Sequence, residues 1–110
     1  MNPETEYRKL LESRGISLQS PGLAEIALSR ADAILAVGLL RSASIPILGG
    51  DVYFKKATGI ESAYANWHSN PKDGEDRGSF VIRSCLETLN YIKSFPSTEV
   101  VPIFVLVIDL

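Results

Sequence analysis

Polar and apolar side chains alternate along a short stretch that follows Gly49-Gly50. The alternating residues are Asp51, Val52, Tyr53, Phe54 and Lys55. This period of two is typical of a strand with one face in the core and the other in water. An apolar run leads into the two glycines from Ile45, and glycine permits a positive φ or the close approach of another backbone. The pattern predicts two strand segments joined by a bend or bulge, in which Gly49 and Gly50 are structural residues.

A second extended segment is predicted over residues 60–68. It would form a hairpin with the first through a loop of medium length, which places Tyr53 and Tyr64 on neighbouring strands. The two alanines of this segment are good helix formers. A helix over Glu61–Trp67 therefore stays open as the alternative.

Three stretches have the spacing of amphipathic helices. The first is Glu4–Ser13, within a peripheral N-terminal segment of residues 1–15, and its charges suit the helix dipole. The second begins at Ser20-Pro21 and extends to about Arg41. The third covers about Ser79–Lys93. The side chains predicted to face the core are Ala24, Ala27, Leu28, Ala31, Ile34, Leu35 and Gly38 of the second helix, and Ile82, Cys85, Leu86, Leu89 and Ile92 of the third.

Residues Val100–Ile108 are almost all β-branched or large and apolar, which is typical of a strand buried on both faces or of a central strand covered by helices. With the elements above, this predicts an α+β fold. The predicted architecture is a two-layer sandwich, with a mainly antiparallel sheet of three or four strands and helices packed on one face. A length of 110 residues favours one domain over residues 1–110.

Composition excludes several classes of function. The chain has 11 basic and 13 acidic side chains and a net charge of −2, which argues against nucleic acid as a partner. One cysteine and one histidine cannot make an internal disulfide or a zinc site. No apolar stretch reaches the ~18 residues of a spanning helix, and the amino terminus lacks the apolar core of a signal peptide. We expect a cytoplasmic protein with no metal, no cofactor and no membrane contact.

The sequence contains few residues that could act in catalysis. His68 is the one candidate base, and Ser69 beside it would point to the opposite face of an extended chain, so a catalytic triad is not expected. Asp51 and a carboxylate of a later acidic loop could form the pair that a small hydrolase uses, and this alternative stays open. A homo-oligomer joined through an unpaired edge strand near Asp51–Lys55 is another, so both monomer and homodimer remain possible.

The hairpin and the loop Ser69–Gly78 provide a candidate binding surface. Binding hot spots are enriched in Trp, Tyr and Arg, and recognition concentrates in loops. The candidate partner-binding residues are Asp51, Tyr53, Tyr64, Trp67, Asp73, Glu75 and Asp76. A structural alternative stands beside each kind of residue. Trp67 is more often a core residue, Asp51 can accept backbone N–H bonds at the bend, and an acidic run is usually a solvated loop.

Four segments together resemble a known family. They are IPILGGDVYFK at 45–55, YANWHSNP at 64–71, RSCLETLNYIKSF at 83–95 and VPIFVLVID at 101–109. They resemble the bacterial polymorphic-toxin immunity proteins of immunity family 40, over Ile16–Asp109. The resemblance implies an α+β immunity-protein domain without catalysis, whose partner is a cognate toxin domain. The toxin would be neutralised inside the cell that makes the immunity protein, by occlusion of its active site or an adjoining surface. Against a nuclease toxin, an acidic patch would take the place of phosphates in a basic cleft.

Overall fold

The structure, a computed structural model, describes residues 2–18 and 25–110. Within these ranges the helices are α1 (Pro3–Arg14), α2 (Arg30–Ser42) and α3 (Arg77–Ser94). The strands are β1 (Ile16–Ser17), β2 (Ile26–Ser29), β3 (Ile47–Lys56), β4 (Gly59–His68) and β5 (Val101–Ile108). All strand pairs are antiparallel, in the order β1-β2-β5-β3-β4. The α+β prediction is confirmed, and the sheet has five strands in place of three or four.

Strand β2 occupies part of the predicted second helix. It pairs with β5, and α2 begins only after it, where the Ser29 hydroxyl accepts a hydrogen bond from the backbone N–H of Asp32 at 3.2 Å. The predicted helix start at Ser20-Pro21 lies outside the described residues. Pairing with a distant strand has overridden local helix propensity here, as tertiary context often does. The predicted extent of this helix is therefore wrong at its N-terminal end.

Strand β3 is one continuous strand, with the glycine pair inside it. Its register against β5 shifts between Ile47 and Gly49, so the predicted irregularity is a bulge within one strand. Strand β4 is extended as predicted, so the helix alternative for this segment is wrong. The turn between them is Ala57-Thr58, which is shorter than the predicted loop. Because β3 pairs with β5 on one side and β4 on the other, it is not the edge strand that the homo-oligomer alternative required.

The helices cover one face of the sheet. Leu28, Val52, Trp67 and Phe104 of the strands share the main core with side chains of all three helices. A smaller cluster on the other face comprises Leu18, Ala27, Ile103 and Val105, none of which belongs to a described helix. We call this second face the open face.

The predicted inward stripes of the helices are partly wrong. The residues that α2 buries are Ala33, Ala36, Val37 and Leu40. Leu35 is 53% exposed, and Gly38 also faces solvent. On α3, Ile82 and Leu86 are 52% and 53% exposed. Residues 33–37 of α2 are all apolar, so composition alone could not decide which side faces the sheet. As a result, the outer side of the helical layer carries apolar side chains.

Candidate partner-binding surface

Asp51 and Tyr53 lie two residues apart on the open face of β3. Their register partners on β4 are Asn66 and Ser62 respectively. Alternate residues of a strand point to the same side, and register partners share a face. These four polar side chains therefore form one patch. We call them, together with the neighbouring Tyr64, the hairpin surface.

Tyr64 projects from the outer edge of the sheet and is 93% exposed. It lies in a bulge of β4, opposite the point where the register shifts between Val52 and Tyr53. Its φ is 54°, in the left-handed region that bulky residues rarely adopt. The Tyr64 backbone N–H donates to the Ser62 hydroxyl at 3.0 Å, which helps to hold this conformation. Strained backbone at an edge bulge is a feature of functional sites, where it re-aims a side chain.

Trp67, in contrast, points into the core beneath α3. Its side of the sheet is the helix-covered one, and the residue is only 8% exposed. The indole Nε1 donates to the Thr88 hydroxyl at 3.0 Å, and the ring stacks on Tyr91 with 4.6 Å between centroids. A Cβ at Gly50 would collide with the indole, so the glycine provides the space for this ring. The structure thus separates Trp67 from Asp51 and Tyr53.

An aromatic cluster around Phe95 fixes the hairpin to α3. The Phe95 ring lies 6.3 Å from that of Phe54, 6.1 Å from that of Tyr91 and 5.8 Å from that of Phe104. The angles between these rings are 46–90°, within the tilted and edge-on arrangements that aromatic pairs favour. The open face is therefore supported from behind by a packed layer.

Glu75 is engaged by Arg83 on both carboxylate oxygens. Arg83 Nε and Nη2 donate to Oε2 and Oε1, each at 2.8 Å, and the Lys72 backbone N–H donates to Oε1 at 3.0 Å. The Arg83 hydrogen bonds, and then that from Lys72, lower the pKa of Glu75 from 4.5 to about 2. Glu75 therefore organises the loop, and it is poorly suited to act as a general acid.

Asp76 caps α3, whereas Asp73 is exposed and takes no part in such a contact. The backbone N–H of Ser79 donates to Asp76 Oδ1 at 2.8 Å, which satisfies one of the open N–H groups at the start of the helix. Asp73 is exposed and accepts no hydrogen bond from any described residue. The acidic loop thus combines two structural carboxylates with one that faces solvent.

Glu25 adds negative charge near the open face, and no pattern in the sequence predicted this. Burial raises the pKa of the Tyr53 phenol, and the nearby Glu25 and Asp51 carboxylates raise it further. Glu25 directly precedes β2, and only the pairing of β2 with β5 brings it near β3. Two carboxylates therefore act on the Tyr53 phenol, and this part of the surface is acidic.

Residues 2–18 and 25–110 contain neither a candidate metal site nor a candidate membrane span. No group of three or more His, Cys, Asp or Glu side chains is placed to hold a metal ion. None of the helices in these ranges combines the length and apolar character that a membrane span requires.

Comparison with known proteins identifies one family. The family model described as Immunity protein 40 matches residues 17–108, which is most of the chain. The curated proteins and the solved structures gave no match. The matched range includes all of β3, β4, α3 and β5, and with them the hairpin surface.

Proposed function

The chain belongs to the immunity protein 40 family, and from this we propose that it binds and neutralises the cognate toxin of a bacterial polymorphic toxin system. It acts in the cytoplasm of the cell that makes it and protects that cell from toxin delivered by its siblings. The mechanism is occlusion of the toxin's active site or of an adjoining surface. Such a mechanism requires a stable complementary surface and no reaction catalysed by the immunity protein itself.

The hairpin surface is the proposed toxin-binding site. The observation that carries the proposal is Tyr64, a 93% exposed aromatic side chain on a constrained bulge. Beside it lies Tyr53, with Asp51 and Glu25 nearby. Tyrosine supplies a large contact area at low entropic cost, which is why it is enriched in binding hot spots. Asp73 extends the proposed site, while Trp67, Glu75 and Asp76 support it from within the fold.

Charge on the open face suggests the kind of toxin surface that it fits. Glu25 and Asp51 both lie close enough to Tyr53 to raise its pKa. If the toxin is a nuclease, these carboxylates would occupy the place of substrate phosphates in its basic cleft. Opposite charges would also accelerate association, and this effect should weaken as salt is added. A binding rate that falls with ionic strength is thus expected.

The hydrolase alternative receives little support from the acidic loop. Of the three loop carboxylates that could pair with Asp51, Glu75 is bound to Arg83 and Asp76 caps α3. Only Asp73 has no such engagement with the described residues. A non-enzymatic role is therefore the one that we propose.

The test uses the toxic carboxyl-terminal domain that we expect the neighbouring upstream gene to encode. Calorimetric titration would compare the wild type with Tyr53→Ala/Tyr64→Ala. Since a hot-spot residue contributes about 2 kcal/mol, the double variant should bind at least about 30-fold more weakly. Leu35→Ala is the matched control, because it removes an exposed apolar side chain from the opposite layer. Unchanged affinity of the tyrosine variant would reject this site.

A second experiment tests the function independently of the site. Cells that lack the gene should lose the competition with toxin-producing siblings, and expression of the wild type should restore their growth. Equal survival of the deletion strain would reject toxin neutralisation altogether. Asp76 is a poor choice for a binding variant, because its loss would uncap α3 and lower stability.

A further inference from the structure

The outer side of the helical layer contains an apolar groove between α2 and α3. Its volume is about 190 Å³, and its apolar walls include Ile34 and Gly38 of α2 and Leu86 and Leu89 of α3. Arg30, the first residue of α2, donates a hydrogen bond to the backbone oxygen of Ile92, near the end of α3. The two helices are therefore antiparallel. The groove lies on the far side of the helices from the sheet, and so is remote from the hairpin surface.

Both charged residues that line the groove are basic. They are Arg41 on α2 and Lys93 on α3. Arg41 lies near Cys85, and Lys93 is eight residues further along α3, which corresponds to about 12 Å. The groove thus has a cation toward each end and apolar side chains between them.

Neither of these two cations pairs with a carboxylate of residues 2–18 or 25–110. Among the described residues, five basic side chains form no ion pair with an acidic one: Arg30, Arg41, Lys55, Lys72 and Lys93. Two of the five, Arg41 and Lys93, line this groove, whereas Arg30 donates to the backbone oxygen of Ile92 and to Ser97. The net charge of the chain is −2, so two cations beside an apolar groove are a local positive site. Such a site favours an anionic partner.

Gly38 leaves space in the wall of the groove. It lies inside α2, where glycine is less favourable than alanine, and a Cβ built on it would meet no atom within 4 Å. No described part of the chain fills that space. An incoming segment could therefore approach the α2 backbone closely at this position.

We propose that this groove binds an acidic segment of a partner protein. The segment would lay apolar side chains between α2 and α3 over Gly38, and its carboxylates would reach Arg41 and Lys93. This is the mode in which an amphipathic helix occupies a hydrophobic groove. The proposal does not depend on the toxin-binding site, since the two surfaces lie on opposite layers of the molecule.

A second copy of the chain fits the groove less well than an acidic segment does. The acidic residues within α2 and α3 are Asp32 and Glu87. Asp32 already pairs with Arg14 at 3.9 Å, and Glu87 accepts from Arg83 at 3.0 Å and from Ser69 at 2.8 Å. In a symmetric contact through these helices, the cations of one copy would meet the cations of the other. Neither copy would offer an unpaired carboxylate from α2 or α3 to neutralise them.

The test is an NMR titration of the full-length, ¹⁵N-labelled protein with a synthetic peptide of leucine and glutamate at helical spacing. Amide shifts should cluster along the groove, and a matched peptide with lysine in place of glutamate should not bind. Charge reversal in Arg41→Glu/Lys93→Glu should weaken binding about tenfold or more. The matched control is Lys55→Glu/Lys72→Glu, which makes the same charge change outside the groove and should alter affinity by less than about twofold.

Gly38→Leu tests the groove without a change of charge. A Cβ at this position meets no atom within 4 Å, so we expect the protein to fold and to lose peptide binding. Absence of shifts at about 1 mM peptide, equal binding of the lysine peptide, or equal effects of the two charge reversals would overturn the proposal. A dimer that forms without peptide and that Gly38→Leu abolishes would assign the groove to a second copy. Binding to anionic phospholipid vesicles that needs Arg41 and Lys93 would assign it to a membrane surface.

Discussion

Gly50→Ala should destabilise the protein by placing a methyl group under the Trp67 ring. A Cβ at this position would collide with the indole and with the backbone oxygen of Val105. The φ of Gly50 is outside the left-handed region, so the effect is steric and does not come from backbone strain. Overpacking of this kind costs about 1–3 kcal/mol.

Movement of the indole would add to that cost. The ring cannot shift without disturbing its hydrogen bond to Thr88, at 3.0 Å, and its stacking on Tyr91. The hydrogen bond contributes about 1 kcal/mol and the aromatic pair about 0.5–1.5 kcal/mol. We therefore expect Gly50→Ala to lower the free energy of unfolding by about 3 kcal/mol. Urea unfolding followed by circular dichroism would measure the loss.

A double-mutant cycle identifies the cause of that loss. Trp67→Phe provides a smaller ring, so Gly50→Ala should cost at least about 1 kcal/mol less in that background than in the wild type. Gly38→Ala is the control glycine, and because its Cβ meets nothing, it should stabilise α2 by about 0.5–1 kcal/mol. An equal cost of Gly50→Ala in both backgrounds would refute the role assigned to the indole.

Three further predictions concern the supports of the hairpin and the loop. Thr88→Val should lower the free energy of unfolding by about 1–3 kcal/mol, because it leaves the buried Nε1–H of Trp67 unpaired. Thr88→Ser keeps the hydroxyl group and should retain most of the wild-type stability in the same urea assay. The folded pKa of Glu75, about 2, lies below its ordinary 4.5, so its stabilisation is present above about pH 4.5 and is lost as the pH falls toward 2. Urea unfolding should show that the free energy of unfolding falls less steeply with decreasing pH in Glu75→Gln than in the wild type. An equal dependence on pH in the two proteins would contradict the role of Arg83. Tyr64→Gly should raise the free energy of unfolding by up to about 1 kcal/mol, since it relieves a left-handed tyrosine, and a clear decrease in a thermal melt would count against that strain.

The parts of the fold that the sequence predicted depend on local patterns. Alternation around Tyr53 identified β3, and the Gly49-Gly50 pair identified its bulge, because the period of two and glycine geometry act over a few residues. The apolar run of β5 predicted a central strand, which β5 is. Strand β2 escaped detection because its four residues become a strand only by pairing with β5, far along the chain.

The candidate site was predictable to a smaller extent for the same reason. Exposure of Tyr64 arises from a register shift, which depends on how two strands align. Glu25 raises the pKa of Tyr53 only because the order of strands in the sheet brings the start of β2 to the same face as Tyr53. One signal was present in the sequence, however: an aspartate directly before a helix, here Asp76, is a common N-cap. The need for a glycine opposite Trp67 follows only from the register of β3 and β4.

The position of β5 has a consequence for the synthesis of the protein. Of the described elements, β5 comes last along the chain, yet it lies between β2 and the β3–β4 hairpin. Until the ribosome has added residues 101–108, no strand joins β2 to the β3–β4 hairpin. The hydrophobic side chains of β2 and β3 then lack the side chains of β5 against which they pack. Contacts between such distant segments form late and slowly. Nascent chains that stop short of this strand should therefore be substrates for chaperones and proteases.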